Sequence, residues 1–234
     1  MRIEGSKALV FGGTSGIGLA AALQLQRLGA QVVAISRDPS KASGVEGLAT
    51  QTCDVLDREA LGKLFAEQAP FDILVTAATG GERAFGPFLQ MDLDGYQASF
   101  AKLWGYTNVV RFGALHLSER GCIVVVSGAP ARRARPGQIA IASVGGAVEQ
   151  FVRAVAPELA PRRINVVSPG TIDTPMLGPD NEAKAKRLQA ATAKNLIPRP
   201  GTSDEVAKAI VFAIENDFVT GTTVDVDGGW LSSL

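Results

Sequence analysis

One histidine and two cysteines are all that this 234-residue sequence offers as soft metal ligands. Cys53 sits in no metal-ligand spacing, which argues against a zinc site. Thiols beside apolar runs, as at Cys53 and Cys122, read as buried and reduced, the pattern of a cytoplasmic protein. Neither sign of charge is in excess: 23 Lys and Arg stand against 23 Asp and Glu, so no basic surface for nucleic acid is expected. The first residues lead straight into a strand with no apolar leader, and no apolar run approaches membrane-spanning length. Linkers, repeats and low-complexity tracts are lacking too. A 46% hydrophobic content at this length is enough to bury a large core, and residues 1–234 read as a single domain. The expected partners are a small-molecule substrate and further copies of the chain, since near-neutral chains self-associate readily.

What is present is organised around a glycine-rich turn. Lys7–Phe11 is a short apolar run, hence a buried strand. Gly12, Gly16 and Gly18 punctuate the next residues. Leu19, Ala22, Leu23 and Leu25 then recur at helical spacing until Gly29. Strand, glycine turn and helix make a cradle for a diphosphate, because glycine lets the backbone come close and the helix N-terminus presents free N–H groups. A plain tight turn would use the same glycines; the flanking elements favour the nucleotide site. Gln31–Ile35 is the second strand of a βαβ unit. An acidic residue at its end would hold the ribose of NAD, but Ser36 and Arg37 stand there. A hydroxyl and a guanidinium suit a 2′-phosphate, so NADP(H) is the expected cofactor, with Asp38 as the dissenting neighbour.

Leu48–Thr52 predicts a third strand, and Asp57 caps a helix from Arg58 to about Ala66. Asp54 is placed either to accept from an adenine amino group or to form a turn. Asp72–Thr76 is a fourth strand ending in Ala77-Ala78-Thr79-Gly80-Gly81. Asp94 to about Ser118 reads as one long helix with an apolar surface broad enough for a second subunit; His116 near its end reads as a surface or capping residue. Cys122–Val126 is the most apolar strand and ends at Ser127. Arg132 and Arg133 follow, either in a solvated loop or drawing in an anionic substrate. A helix from Gln138 to about Leu159 is interrupted near its end by Pro157. Ile164–Val167 is a sixth strand, Asn181–Asn195 a polar helix with the profile of a lid, and Ser203 caps another helix. Thr222–Val226 closes the set. The alternation predicts an α/β fold: a doubly wound parallel sheet of seven strands between two helical layers, with its ligands at the strands' carboxyl ends.

Gly12-Gly13-Thr14-Ser15-Gly16-Ile17-Gly18, Asp54-Val55, Ser168-Pro169-Gly170-Thr171-Ile172-Asp173-Thr174-Pro175-Met176, Thr220-Gly221 and Asp227-Gly228-Gly229 together resemble the short-chain dehydrogenase/reductase family over essentially the full length. The resemblance implies a Rossmann-like fold and an oxidoreductase. It implies that Gly12, Thr14, Ser15, Gly16, Ile17 and Gly18 hold the diphosphate, and that Asp54 and Val55 flank the adenine. Ala77, Ala78 and Thr79 keep a backbone contact to the ribose where the family has Asn-Asn-Ala-Gly. Pro169, Gly170, Ile172 and Thr174 meet the nicotinamide half. A homodimer or homotetramer through the two long helices is implied as well.

The catalytic positions depart from that family. It uses a Ser after the fifth strand, a Tyr and a Lys four residues apart on the next helix, and an Asn on the preceding helix. Anchored on Ala147-Val148-Glu149, the Tyr falls on Ile141 and the Lys on Gly145; one register over, on Ala140 and Val144. No Tyr or Lys occurs between Gly128 and Arg162. The Asn position is Lys102, and Ser127 takes the Ser position in one register, Gly128 in the other. General acid–base help is worth about 10²–10⁴-fold, so a substitute donor is needed. Lys102 and Ser127 are the candidate catalytic residues of an atypical NADP(H)-dependent oxidoreductase acting on a small carbonyl, enone or imine. Lys102 as a structural, carbonyl-bonding residue is the plain alternative. A non-catalytic NADP(H)-binding sensor or partner subunit, and a non-redox isomerase or dehydratase, are the other readings of the same residues.

Overall fold

Strand β1 (Lys7–Phe11) shows how the sheet is built. Ala8 and Val10 point into one apolar cluster, Leu9 and Phe11 into another on the opposite face. Both faces are covered, which is why parallel strands here are continuous apolar runs rather than alternating ones. In a computed structural model describing residues 1–79 and 81–233, the chain continues through α1 (Gly16–Arg27), β2 (Gln31–Ser36), β3 (Ala49–Thr52), α2 (Arg58–Gln68), β4 (Phe71–Thr76), α3 (Leu93–Ala98), α4 (Ala101–Gly113) and β5 (Leu117–Val126). It ends with α5 (Ile139–Leu159), β6 (Arg163–Pro169), β7 (Ile172–Asp173), α6 (Glu182–Thr192), β8 (Gly201–Thr202), α7 (Ser203–Glu215) and β9 (Thr223–Val226). Seven strands form one parallel sheet in the order β3-β2-β1-β4-β5-β6-β9, as expected, and β7 and β8 add a separate two-stranded pair. Helices α1 and α7 cover one face, and α2, α4 and α5 the other. The chain reverses direction across the sheet between β1 and β4, which opens a crevice at their carboxyl ends.

Helix α4 packs through Tyr106, Val109 and Val110 and comes closest to its neighbours at two glycines. A Cβ at Gly113 would stand 2.7 Å from Leu74 and 2.9 Å from Phe65, and one at Gly105 would stand 2.5 Å from Val55. The same approach carries Lys102 and Tyr106 to the crevice.

Several expectations are corrected. The span Asp94–Ser118 is not one helix. Asp92 caps α3 by accepting from the Asp94 and Gly95 amides, and the Ser99 hydroxyl donates back to the Gly95 carbonyl as the helix stops before α4. After Gly113 the His116 amide donates to the Gly113 carbonyl in a turn, and Leu117 already pairs with Phe71 in the sheet. Helix α5 runs through Pro157, which sits exposed in the last turn and leaves the Arg153 carbonyl without its helical donor. Its 21 residues are long and apolar enough to cross a membrane by length and composition, against the reading that no run approaches that length; in the fold, Val148 and Val152 pack it on the sheet. The cap of α7 is Thr202 rather than Ser203. Its hydroxyl accepts from the Glu205 amide at 3.2 Å while the Glu205 carboxylate accepts from the Thr202 amide at 2.8 Å, a reciprocal capping box. Gly80 of the loop after β4 lies outside the described residues.

Gly113→Ala is expected to be destabilising. Overpacking costs about 1–3 kcal/mol and outweighs a helix-propensity gain of about 1 kcal/mol. Urea unfolding checks it: the midpoint falls at unchanged slope, and a raised midpoint would contradict the close packing of α4.

Candidate active site

The crevice is a cleft of about 690 Å³. All the residues singled out from the sequence line it: Gly12, Thr14, Ser15, Gly16, Ile17, Gly18, Ser36, Arg37, Asp54, Val55, Ala77, Ala78, Thr79, Lys102, Ser127, Pro169, Gly170, Ile172 and Thr174. The glycine turn works by absence of side chains. A Cβ at Gly18 would fall 2.1 Å from the Gly12 carbonyl oxygen, and Gly12 itself holds φ +75. Ser15 caps α1 with extended backbone and makes no side-chain cap bond. The first-turn N–H groups of this 12-residue helix are therefore uncapped by the Ser15 side chain and available to an anion in the cleft.

One end of the cleft lies over β2 and β3. The Thr14 hydroxyl donates to Ser36 Oγ at 2.9 Å. Arg37 is exposed on the rim, with Lys41 beside it in the lining. Asp38 lines the cleft as well, with its side chain engaged locally. Its carboxylate accepts from the Ser40 hydroxyl at 2.5 Å and the Ser40 amide at 3.2 Å, capping a short 3-10 turn, and the Ser40 bond holds its pKa below the ordinary value. Asp54 accepts from the Leu56 amide at 2.9 Å, so it forms the turn and lines the cleft as well.

The other end lies over β4, β5 and β6. The Lys102 ammonium donates to the Ser127 carbonyl at 3.3 Å and sits 5.4 Å from the centre of the Tyr106 ring. Loss of water lowers its pKa to about 7, and the charge of Arg83 adds to the fall. The Ser127 hydroxyl donates to the Gly145 carbonyl at 3.1 Å. Tyr106 donates to the Val126 carbonyl at 3.0 Å, and burial pushes its pKa up; its phenol holds its proton. Arg132 and Arg133 are both held by partners within the chain, Arg132 while remaining exposed. Arg132 bonds Asp225 and pairs with buried Glu149. Arg133 donates to the Trp230 carbonyl at 2.7 Å and lies over the Trp230 ring. Helix α6 is tied down, not loose: its buried Lys184 pairs with Asp173 and Asp180, each at 2.7 Å.

A model of the family described as enoyl-(acyl carrier protein) reductase matches residues 12–231. The short-chain dehydrogenase/reductase ATR9 of Stachybotrys chlorohalonatus is 32% identical over 251 residues, with 97% of each chain covered. This chain belongs to the short-chain dehydrogenase/reductase family. L-xylulose reductase of Bos taurus is 29% identical, covering 100% of this chain and 99% of that one. A small-chain dehydrogenase solved in complex with NADPH superposes with a TM-score of 0.86 at 27% identity, covering 98% of this chain and 100% of that one. With relatives named as dehydrogenases and reductases, the chain is of oxidoreductase type.

In this short-chain dehydrogenase/reductase, Ile141 and Gly145 both line the cleft; of the alternative register Val144 lines it too, whereas Ala140 is buried and not part of the lining. A Cβ at Gly145 would meet Ala131 at 3.0 Å and Ser127 Oγ at 3.3 Å, so the space for a side chain there has closed. Sequence reasoning missed Lys41, Arg83, Phe85, Tyr106, Arg135 and Trp230 in the lining. The i, i+4 spacing of Lys102 and Tyr106 on one helix would have found Tyr106; the loop residues carry no periodic signal.

The Lys102 shift fixes a sign. Its proton is held up to about pH 10.5 in the unfolded chain but only to about 7 in the folded one, so between those values the fold gains stability as pH rises. NMR of the ¹³C-dimethylated lysines is expected to show one midpoint near 7, absent in Lys102→Met and moved upward in Arg83→Gln. A Lys102 midpoint near 10 would contradict the desolvated site.

Proposed function

We propose that this oxidoreductase uses NADP(H) and is an atypical member of its family, with Lys102 supplying the proton that the family's Tyr delivers. The observation that carries the reading is the Lys102 ammonium in the cleft, anchored on the Ser127 carbonyl with a pKa of about 7. The cleft fits the cofactor: uncapped α1 N–H groups and a bare glycine turn suit the diphosphate. Arg37 and Lys41 suit a 2′-phosphate while Asp38 is occupied by Ser40. The solved relative bound to NADPH supports the same choice. When bound, NADPH supplies the hydride.

The chain's residues do the rest. Lys102 donates a proton to the oxygen or nitrogen on which charge develops, and its charge stabilises that atom before transfer. At pH 7 a group titrating near 7 is divided between the two forms, the balance that proton transfer requires. The Ser127 carbonyl positions the ammonium, and the Ser127 hydroxyl is turned to Gly145, so it orients the wall of the site. Ile141, Val144 and Tyr106 exclude water around the reacting atoms. The substrate is a small carbonyl, enone or imine. The half-exposed Trp104 and Leu115 near the outer face of α4 support self-association of copies through this helix. The lack of a Tyr/Lys pair favours one rival reading, a non-catalytic NADP(H)-binding subunit.

Purified protein is expected to oxidise NADPH against a panel of carbonyls, enones and imines, with kcat for reduction falling as pH rises through about 7 because the donor must be protonated. Lys102→Met lowers kcat by about 10²–10⁴-fold while NADPH still binds. Lys102→Arg, which keeps the charge but not a transferable proton, restores little. Tight NADPH binding without turnover of any compound would favour the non-catalytic subunit. Separately, Arg37→Ala is expected to weaken NADPH about tenfold or more and leave NADH unaffected, as loss of a charged hydrogen bond costs about 1.5–3 kcal/mol; calorimetry reads both.

A further inference from the structure

The charges lining the cleft are sorted by end. Its acids, Asp38 and Asp54, lie on the β2 and β3 side. On the β4 to β6 side the charged lining residues are Arg83, Lys102 and Arg135, and among the described residues none there is acidic. Arg135 already donates to the Ala191 carbonyl at 2.7 Å and lies 4.1 Å over the Trp230 ring, so its place is fixed by the fold. Arg83 is different. It is partly buried, and its hydrogen-bond partner among the described residues is the Met176 thioether sulfur, a weak acceptor. A guanidinium fork held in a cleft beside so poor an acceptor is a fork without its proper ligand. Phe85, Met176 and Ile141 add apolar surface to the same cleft.

The geometry points to Arg83 as the anchor of a carboxylate on the substrate, which is then an amphipathic carboxylic acid bearing the reducible group. This rests on the reading above that Lys102 marks the reacting end. Two mechanistic features agree. Both Lys102 and Tyr106 feel the Arg83 charge. A carboxylate seated on Arg83 would offset that repulsion, so substrate binding itself would favour the protonated, donating form of Lys102. The bidentate fit of guanidinium and carboxylate would also orient the apolar body toward Ile141 and Lys102.

The test is a calorimetric comparison of matched probes, 4-phenylbutanoate against 4-phenylbutanamide and hexanoate against hexanamide, run with and without NADPH. The carboxylate of at least one pair is expected to bind about tenfold or more tighter than its amide. Arg83→Gln, a change on a cleft loop, erases the preference, and Arg83→Lys keeps part of it. Equal binding in both pairs overturns the proposal, as does a preference that survives in Arg83→Gln. Weakened NADPH binding in Arg83→Gln with the carboxylate preference intact would assign Arg83 to the cofactor and overturn it too. Failure of wild-type protein to bind NADPH sinks the cofactor reading alone, because the carboxylate comparison is also read without it.

Discussion

The cleft depends on a packing constraint: at certain glycines the backbone must come nearer to its neighbours than any side chain would allow. At the β1–α1 turn this is Gly18 against the Gly12 carbonyl; on α4 it is Gly105 against Val55 and Gly113 against Leu74 and Phe65. The first contact turns a helix N-terminus into an anion seat. The second sets α4 down on the sheet, so that residues one turn apart, Lys102 and Tyr106, end in the crevice between β4 and β5. Parallel strand order then does what it does in open α/β sheets generally, gathering the loops at one edge around the point where the chain reverses.

A buried cation is expensive, and the fold meets that cost only in part. Lys102 has one carbonyl acceptor and the face of Tyr106, with Arg83 opposing it. Elsewhere the same chain sets its buried charges beside opposite ones: Glu149 has Arg132 and Arg153, and Lys184 has Asp173 and Asp180. The contrast sets groups that hold the structure apart from Lys102, the proton donor proposed above. At Gly145 an added Cβ would crowd Ala131 and Ser127 Oγ, and in the reading proposed above the ammonium of this cleft comes from α4 instead.

Much of this was visible in the residues themselves. Strands β1, β2, β4 and β6 are dictated by two-sided burial, which leaves unbroken apolar runs, and the glycine turn carries its own backbone demand. The sheet follows from these, and most of the lining positions named from the sequence follow from the resemblance to the family. The long helix over Asp94–Ser118 failed because apolar spacing persists across Ser99 and Leu115, while the decisive bonds, the Asp92 cap and the Leu117 pairing with Phe71, are a side-chain cap and a tertiary contact. The partners of Arg132 and Arg133 had no local signal for a similar reason: Asp225 and the Trp230 carbonyl lie more than ninety residues away in the chain. Arg83 had no local signal, since an irregular loop has no period to reveal which way a side chain faces.

The central claim is that one amine, on α4, has taken over proton delivery in this cleft. Chemical rescue tests it most directly. NADPH-dependent turnover by Lys102→Ala is measured with a series of added primary alkylamines of similar size and graded pKa. The account predicts that activity returns with amine concentration and that the rescued rate depends on amine pKa, as it must if the amine transfers a proton in the rate-limiting step. Full activity in Lys102→Ala without any amine, or rescue indifferent to amine pKa, would contradict it.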